Sequence, residues 1–207
     1  MPRKDRKDWD VGRFDRWSER YDRSVFQPLF FDRIHRRLSA ALSPTAAESV
    51  LDVGCGTGRL AERLVSASGC RVTGVDPATG MVREAAARTL ARSAFAVAGA
   101  EHLPFADGSF DAAISAISAH HWADPAQGFA ELARVVRSGG RAVVADVGSL
   151  GPVVETMRRL KAIDPEHHRG WAPRELGDHL YTEGFRSVRI RTVRAMGAAV
   201  VIASARR

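Results

Sequence analysis

Three glycines at alternate positions, Gly54, Gly56 and Gly58, have the clearest chemical meaning in this sequence. A short apolar run, residues 50–53, precedes them, and residues 60–65 resume at helical spacing. Strand, glycine turn and helix in this order are typical of a nucleotide-type cofactor loop at the edge of a parallel sheet. Glycine is needed there because the backbone must turn tightly and let a ligand lie directly on it.

The residues around the glycines indicate which cofactor the loop binds. A dinucleotide loop reads G-x-G-x-x-G/A, whereas here the third glycine comes one residue early and Arg59 follows it. Asp52 would repel a pyrophosphate but suits a cation, such as the ammonium group of S-adenosylmethionine. Asp76 ends a second apolar run near the spacing of roughly 20 residues at which an acid accepts ribose hydroxyls. A P-loop is excluded, since no Gly-Lys-Ser/Thr follows the glycines.

Three segments in order resemble class I S-adenosylmethionine-dependent methyltransferases, in the branch of the ubiquinone and menaquinone C-methyltransferases. The first is the glycine loop. Residues 100–111 are similar to that branch's AE-LPF-DGSFD segment, and residues 131–140 to its E-RVL-PGG segment. The resemblance covers roughly residues 14–146. It implies methyl transfer from S-adenosylmethionine, which leaves S-adenosylhomocysteine as the product.

The pattern of elements predicts an α/β fold. We expect a Rossmann-like, doubly wound sheet of seven strands, mostly parallel with an antiparallel last strand, and an N-terminal helical lid. Apolar runs predict strands at 48–53, 70–75, 95–97, 110–116, 141–146, 188–193 and 198–203. The spacing between them predicts helices at 58–67, 78–90, 125–137 and 173–183. The turn at Met196-Gly197 requires the last two strands to run antiparallel.

Residues 1–9 are charged and are predicted to form a disordered tail. A single methyltransferase domain is expected over residues 10–207, with the lid at 10–42 and a short substrate insert at 147–172. No apolar run approaches membrane-spanning length, and no apolar signal region follows the N-terminus. We therefore expect a cytoplasmic protein with no membrane partner and with its two cysteines reduced.

The resemblance extends the cofactor site beyond the glycine loop. It implies that Tyr21 contacts the methionine end and that Met81 packs on adenine, although either side chain could instead be ordinary packing. Gly99 stands where the family usually has an aspartate for the adenine amino group, so Glu101 or a backbone carbonyl is expected to replace it. The predicted cofactor residues are Tyr21, Asp52, Gly54, Gly56, Thr57, Gly58, Asp76, Pro77, Met81, Gly99, Ala100, Glu101 and Ala116.

Two adjacent histidines, His120 and His121, follow the predicted fourth strand, where the reacting methyl group must lie. Each is a candidate general base or positioning donor, and the alternative is a structural role. Asp146 ends the fifth strand and could bind substrate or cap the next turn. His167 and His168 have no carboxylate or cysteine at ligand spacing, so no metal site is predicted.

The net charge is +7, and it comes almost entirely from 28 Arg against 3 Lys. The arginines are mixed with acids along the chain, which favours a solvated surface over a nucleic-acid-binding face. The expected activity is methyl transfer to an O, N or C atom of a small molecule by in-line displacement. A nucleic-acid methyltransferase and a non-catalytic cofactor-binding member of the family are the alternatives. A homodimer is left open.

Overall fold

The computed structural model describes residues 11–16, 18, 21–22, 30–88, 91–148, 170–195 and 197–207. Several expectations fall outside this part of the chain: the tail at 1–9, much of the lid, the predicted helix end at residue 90, and most of the insert, including His167 and His168. Residues 11–16, which belong to the predicted lid, are helical.

The described residues form one seven-stranded sheet in the order β3-β2-β1-β4-β5-β7-β6. Strands β1 to β5 are parallel, and β7 runs antiparallel to both β5 and β6. The predicted Rossmann-like fold class is therefore confirmed, including the antiparallel last strand. The strands are β1 (Ser49–Val53), β2 (Arg71–Asp76), β3 (Ser93–Val97), β4 (Phe110–Ala116), β5 (Val136–Val147), β6 (Arg186–Ala195) and β7 (Ala198–Arg206).

Helices cover both faces of the sheet. Because successive strand side chains alternate between faces, Val50 packs in an apolar cluster with Leu38 and Leu64, whereas Leu51 packs in a second cluster with Phe129. The helices are α1 (Asp32–Leu42), α2 (Arg59–Ser68), α3 (Thr79–Ala87), α4 (Pro125–Val135) and α5 (Pro173–Thr182), and a 3₁₀ turn spans Ala119–His121.

The predicted helix over residues 125–137 is two residues too long. Its start is as expected, since Asp124 caps it by accepting from the Gln127 N–H at 3.3 Å and Pro125 occupies the first turn. It ends at Val135 because β5 begins at once, with Val136 paired to Phe110. Gly139 and Gly140, which follow the predicted helix, lie inside β5, at an irregularity where the register with β4 shifts.

The sheet has two edges of different character. We call the end at which β1, β2, β4 and β5 finish the carboxyl edge; Asp52, Asp76 and Asp146 lie there. The opposite end, where β1 and β4 begin, is the amino edge; Glu48 and Asp111 lie there. Ligands of open parallel sheets bind beyond the carboxyl ends of the strands, so the site is expected at the first of these edges.

Candidate active site

A pocket opens at the carboxyl edge, between the glycine loop and residues of the N-terminal segment. Two predicted residues, Gly58 and His120, do not line it. Unpredicted residues in its wall include Phe14, Phe31, His35, Arg59 and Ser118. The predicted residues that line it are Tyr21, Asp52, Gly54, Gly56, Thr57, Asp76, Pro77, Met81, Gly99, Ala100, Glu101, Ala116 and His121.

The three glycines of the loop all have positive φ angles, between 52° and 79°, but they serve different purposes. A Cβ on Gly54 would lie 2.1 Å from Ser118 Oγ, and one on Gly58 would lie 3.1 Å from Ala85 Cβ. A Cβ on Gly56 would meet no heavy atom within 4 Å. Gly54 and Gly58 therefore permit close packing, whereas Gly56 faces the open pocket. Gly58, predicted as a cofactor contact, is placed behind the wall as a packing residue.

Asp52 is a fully buried carboxylate, and neither of its oxygens has a hydrogen-bond partner among the described residues. Burial raises the pKa of Asp52 to about 7, with a further contribution from the charge of Asp76. Asp76 accepts from the Gly56 N–H at 3.0 Å and from the Ala78 N–H at 2.9 Å, and burial also raises its pKa. Asp76 thus fixes the loop, while Asp52 is available to a ligand.

Nitrogen atoms without partners lie on the side of the pocket formed by α1 and α2. His35 Nδ1 and Arg59 Nε are buried and have no hydrogen-bond partner among the described residues. Burial lowers the pKa of His35 to about 4, so its imidazole is neutral at pH 7. The Arg59 guanidinium binds Asp32 through Nη2 at 3.0 Å. Sequence reasoning assigned no ligand to either residue.

The described part of the lid is attached to the elements below it by side-chain hydrogen bonds. Asp15 accepts from the Gly80 N–H at 2.7 Å, at the start of α3. Asp22 accepts from Thr57 Oγ1 at 2.6 Å and forms an ion pair with Arg88. These contacts hold the N-terminal segment against the glycine loop, and so they place Phe14 and Tyr21 over the pocket.

His120 lies behind the pocket wall and is held by a buried carboxylate. Its side chain is 5% exposed, and Asp146 accepts from its backbone N–H at 2.8 Å and pairs with Nδ1 at 2.6 Å. Asp146 also accepts from the Val147 N–H and from Trp171 Nε1, at 2.7 and 3.1 Å. Because the Asp146 carboxylate accepts a hydrogen bond from Nδ1–H, this contact favours the tautomer of His120 with its lone pair on Nε2.

His121 is the histidine that lines the pocket. Its ring centroid lies 3.9 Å from that of His120 and 5.1 Å from that of Phe14, which it meets edge-on. Glu101 Oε1 accepts from the Ala123 N–H at 2.6 Å, so this carboxylate holds the loop that follows the histidines. His121 therefore presents its imidazole to a ligand, and the imidazole of His120 supports it from behind.

The relatives of this chain are methyltransferases. A family model described as a methyltransferase domain matches residues 51–144. The demethylmenaquinone methyltransferase of Clavibacter sepedonicus is 33% identical over an alignment 210 positions long, which covers 88% of this chain and 84% of that protein. The chain belongs to the class I S-adenosylmethionine-dependent methyltransferases.

Two further comparisons show how much of the chain is shared with other methyltransferases. The O-methyltransferase resE of Aspergillus sclerotiorum is 36% identical over 121 residues, 56% of this chain, and the chain spans about half of that relative, 46% of its length. A solved S-adenosylmethionine-dependent methyltransferase from Thermotoga maritima has a TM-score of 0.76 at 22% identity, covering 96% of this chain and 98% of its own, which shows a shared fold. Among the described residues, no helix combines the length and apolar character needed to cross a membrane.

The unpartnered groups in the pocket fit the family's cofactor. S-adenosylmethionine ends in an α-amino acid, with one ammonium and one carboxylate. The buried carboxylate of Asp52 complements the ammonium, and the unpartnered nitrogens of His35 and Arg59 complement the carboxylate. Buried polar atoms in folded proteins nearly always have partners, so exceptions that line one pocket point to a ligand that supplies them.

Proposed function

We propose that this protein transfers the methyl group of S-adenosylmethionine to a small-molecule acceptor. The observation that carries the proposal is the buried, unpartnered Asp52 carboxylate, which lines the same pocket as the unpartnered nitrogens of His35 and Arg59. When bound, S-adenosylmethionine supplies an electrophilic methyl group on a sulfonium. The work left to the protein is mainly to align the nucleophile behind that methyl group, which is a proximity and orientation effect.

Different residues of the chain bind the differently charged groups of S-adenosylmethionine. Asp52 holds the ammonium, His35 and Arg59 hold the carboxylate, and Asp76 accepts from the ribose hydroxyls with the lone pairs that its two backbone N–H contacts leave. Gly56 lets the ligand cross the loop. These roles use polar atoms that the described residues leave unpartnered or only partly occupied.

The acceptor is proposed to be an apolar or aromatic small molecule. Phe14, Phe31, Ile117 and Trp122 line the pocket and present mostly apolar surface to it. His121 is the group placed to take a proton from a hydroxyl or an amine, or to orient it, while His120 and Asp146 support its ring. The names of the relatives, an O-methyltransferase and a demethylmenaquinone methyltransferase, agree with an acceptor of this class.

The proposal includes a cytoplasmic location and no nucleic-acid substrate. The two cysteines are free and buried, as fits a reducing compartment. The apolar pocket wall suits a small molecule. Association into a homodimer is a separate question, which the mass of the protein in solution would answer.

The test combines turnover with cofactor binding. The protein is incubated with methyl-labelled S-adenosylmethionine and a panel of phenols, quinols and amines, and label transfer to one of them is expected. Calorimetry should show binding of S-adenosylhomocysteine and no measurable binding of NAD. Binding of the product without turnover on any acceptor would favour a non-catalytic member of the family.

A matched pair of glycine variants tests whether the loop is the cofactor site. Gly56→Val should abolish S-adenosylhomocysteine binding, because its methyl groups enter the space that the ligand crosses. Gly108→Val is the control: Gly108 also has a positive φ, of 64°, but lies outside the pocket. Both variants carry the strain of a branched residue at positive φ, and only the first should lose binding. Retained binding in a folded Gly56→Val protein would place the cofactor elsewhere.

A further inference from the structure

Two groups of arginines among the described residues contrast in their side-chain partners. In the first, each guanidinium binds a carboxylate at 3.0 Å or less; this group is Arg59, Arg88, Arg134, Arg137 and Arg141. In the second, the guanidinium groups of Arg33, Arg36, Arg37 and Arg194 make no hydrogen bond or ion pair with any described residue. All four of these side chains are exposed.

These four arginines line one groove, which we call the arginine groove. Arg33, Arg36 and Arg37 are three and four residues apart on α1, and so they share one face of that helix. Arg194, at the end of β6, lines the same groove. The remaining lining residues are Ile34, Ala40 and Ala195, none of which is acidic. Asp32, the nearest acid in sequence, is directed to Arg59 instead.

Four guanidinium groups in one groove repel one another, and this repulsion has no internal compensation among the described residues. Like charges four apart on a helix are destabilising, and a concave surface focuses the resulting positive potential. An anion bound between the walls would relieve the repulsion. The groove therefore favours a ligand that carries several negative charges close together.

We propose that the arginine groove binds the di- or triphosphate group of a small molecule. The planar guanidinium donates two parallel N–H bonds to a phosphate, and the groove brings four such groups to one place. The described residues that line it include no aromatic side chain on which a base could stack, which argues against single-stranded nucleic acid as the ligand. Ile34 and Ala195 are buried, so the exposed apolar surface among the described lining residues is that of Ala40, which is too small to anchor the protein in a membrane.

The groove is separate from the methyltransferase pocket, although the two share a helix. Phe31 and His35, at the start of α1, line the pocket, whereas Arg33, Arg36 and Arg37 line the groove. No residue lines both. Phosphate binding in the groove therefore does not depend on the proposed methyl transfer, and each can be tested while the other is intact.

The test is calorimetry of the full chain with sodium tripolyphosphate, compared with orthophosphate and a short oligouridylate. The groove variant replaces Arg33, Arg36, Arg37 and Arg194 by Gln, which keeps the side-chain stems. The matched control is Arg189→Gln with Arg191→Gln, two exposed β6 arginines outside the groove. We expect tripolyphosphate to bind the natural protein more tightly than orthophosphate does. We expect the groove variant to weaken it by about tenfold or more and the control by less than about twofold.

Each alternative result has a definite meaning. Unchanged affinity for S-adenosylhomocysteine in the groove variant shows that the variant is folded. Absence of tripolyphosphate binding at millimolar concentration, or equal loss in groove variant and control, would overturn the proposal. Tighter binding of the oligouridylate that depends on all six arginines would also overturn it and would identify a nucleic-acid surface instead.

Discussion

The two edges of the sheet treat their carboxylates in opposite ways. At the amino edge, Glu48 accepts from both terminal nitrogens of Arg141 at 2.6 and 2.9 Å, and Asp111 accepts from Arg137 Nε and the Ser49 N–H at 2.8 Å. The hydrogen bond from Arg141 holds the pKa of Glu48 at about 2, and that from the Ser49 backbone does the same for Asp111. Both acids are partnered within the chain.

At the carboxyl edge, Asp52 is buried and has no partner, and Asp76 is half-buried and bound only to two backbone N–H groups; among the described residues neither pairs with an arginine, and burial raises the pKa of both. A buried carboxylate with no partner is unfavourable for folding. The amino edge therefore uses its charges to stabilise the fold, while the carboxyl edge keeps them for a ligand. Stability and function thus depend on carboxylates at opposite edges of the sheet. Each substitution described below tests one of these two edges.

Asp146 is the exception at the carboxyl edge, since its oxygens accept hydrogen bonds from four N–H donors, two of which belong to His120.

The largest effect of a substitution is expected on turnover. His121→Ala should lower kcat by about 10²–10⁴, the usual loss for a general base, with little change in S-adenosylhomocysteine affinity. Asp146→Asn, which places an amide donor against His120 Nδ1, should lower kcat in the same direction. Steady-state kinetics across pH 6–9 measures both.

The pH profile distinguishes a proton-transfer role from a packing role. If His121 takes the proton, the natural protein shows a falling acid limb, and His121→Ala lacks it. A rate equal to that of the natural protein in both variants across this range would make the histidines structural. Catalysis would then rest on alignment alone.

The second prediction concerns Asp52. Asp52→Asn should weaken S-adenosylhomocysteine binding by about 2–5 kcal/mol, since it removes the charged partner of a buried ammonium. The same variant should be more stable than the natural protein to urea at pH 8, because it no longer buries an unpartnered charge. Calorimetry and urea melts measure the two effects. If Asp52→Asn were less stable and still bound S-adenosylhomocysteine with unchanged affinity, Asp52 would stabilise the fold and not the ligand.

The third prediction follows from the pKa of Asp52, which is about 7 in the absence of ligand. A bound ammonium favours the ionised carboxylate, so binding below pH 7 must release a proton. Affinity for S-adenosylhomocysteine should therefore rise as pH increases from about 5.5 to 7 and then level off. Calorimetry in buffers of different ionisation enthalpy should detect the released proton in the natural protein but a smaller release in Asp52→Asn. Affinity that falls over this range would mean that Asp52 binds no cation.

Much of the fold could be predicted from the sequence because its signals are local. Apolar runs punctuated by glycine and proline locate the strands to within about three residues, except that β5, predicted to begin at residue 141, begins at Val136. The glycine loop, Asp52 and Asp76 belong to short motifs whose spacing alone places them at strand ends. The end of α4 could not be predicted, because Arg137 is a good helix former and Gly-Gly is a common helix terminator. Pairing of Val136 with Phe110 overrides that preference.

The parts of the site that could not be predicted depend on contacts between distant segments. His35 is one histidine on an amphipathic helix, and only the packing of α1 beside α2 brings it into the pocket with Arg59. The division of labour between His120 and His121 depends on Asp146, 26 positions from His120 and on another strand. Adjacent histidines in a sequence give no sign of which one faces a ligand.

The smallest effect is expected at the amino edge. Glu48→Gln should lower the free energy of unfolding by about 1–2 kcal/mol at pH 7, since it weakens charge-assisted hydrogen bonds to Arg141. Because the pKa of Glu48 is about 2 when folded and 4.5 otherwise, this stabilisation is complete above pH 4.5 and is lost as pH falls towards 2. The difference between Glu48→Gln and the natural protein in urea melts should therefore narrow below pH 4.5. For Asp52→Asn the pH dependence of stability has the opposite sign. Its greater stability than the natural protein at pH 8 should decline as pH falls from 7 towards 4. Glu48→Gln should leave S-adenosylhomocysteine affinity unchanged; a coupled loss of affinity would show that the two edges are not independent.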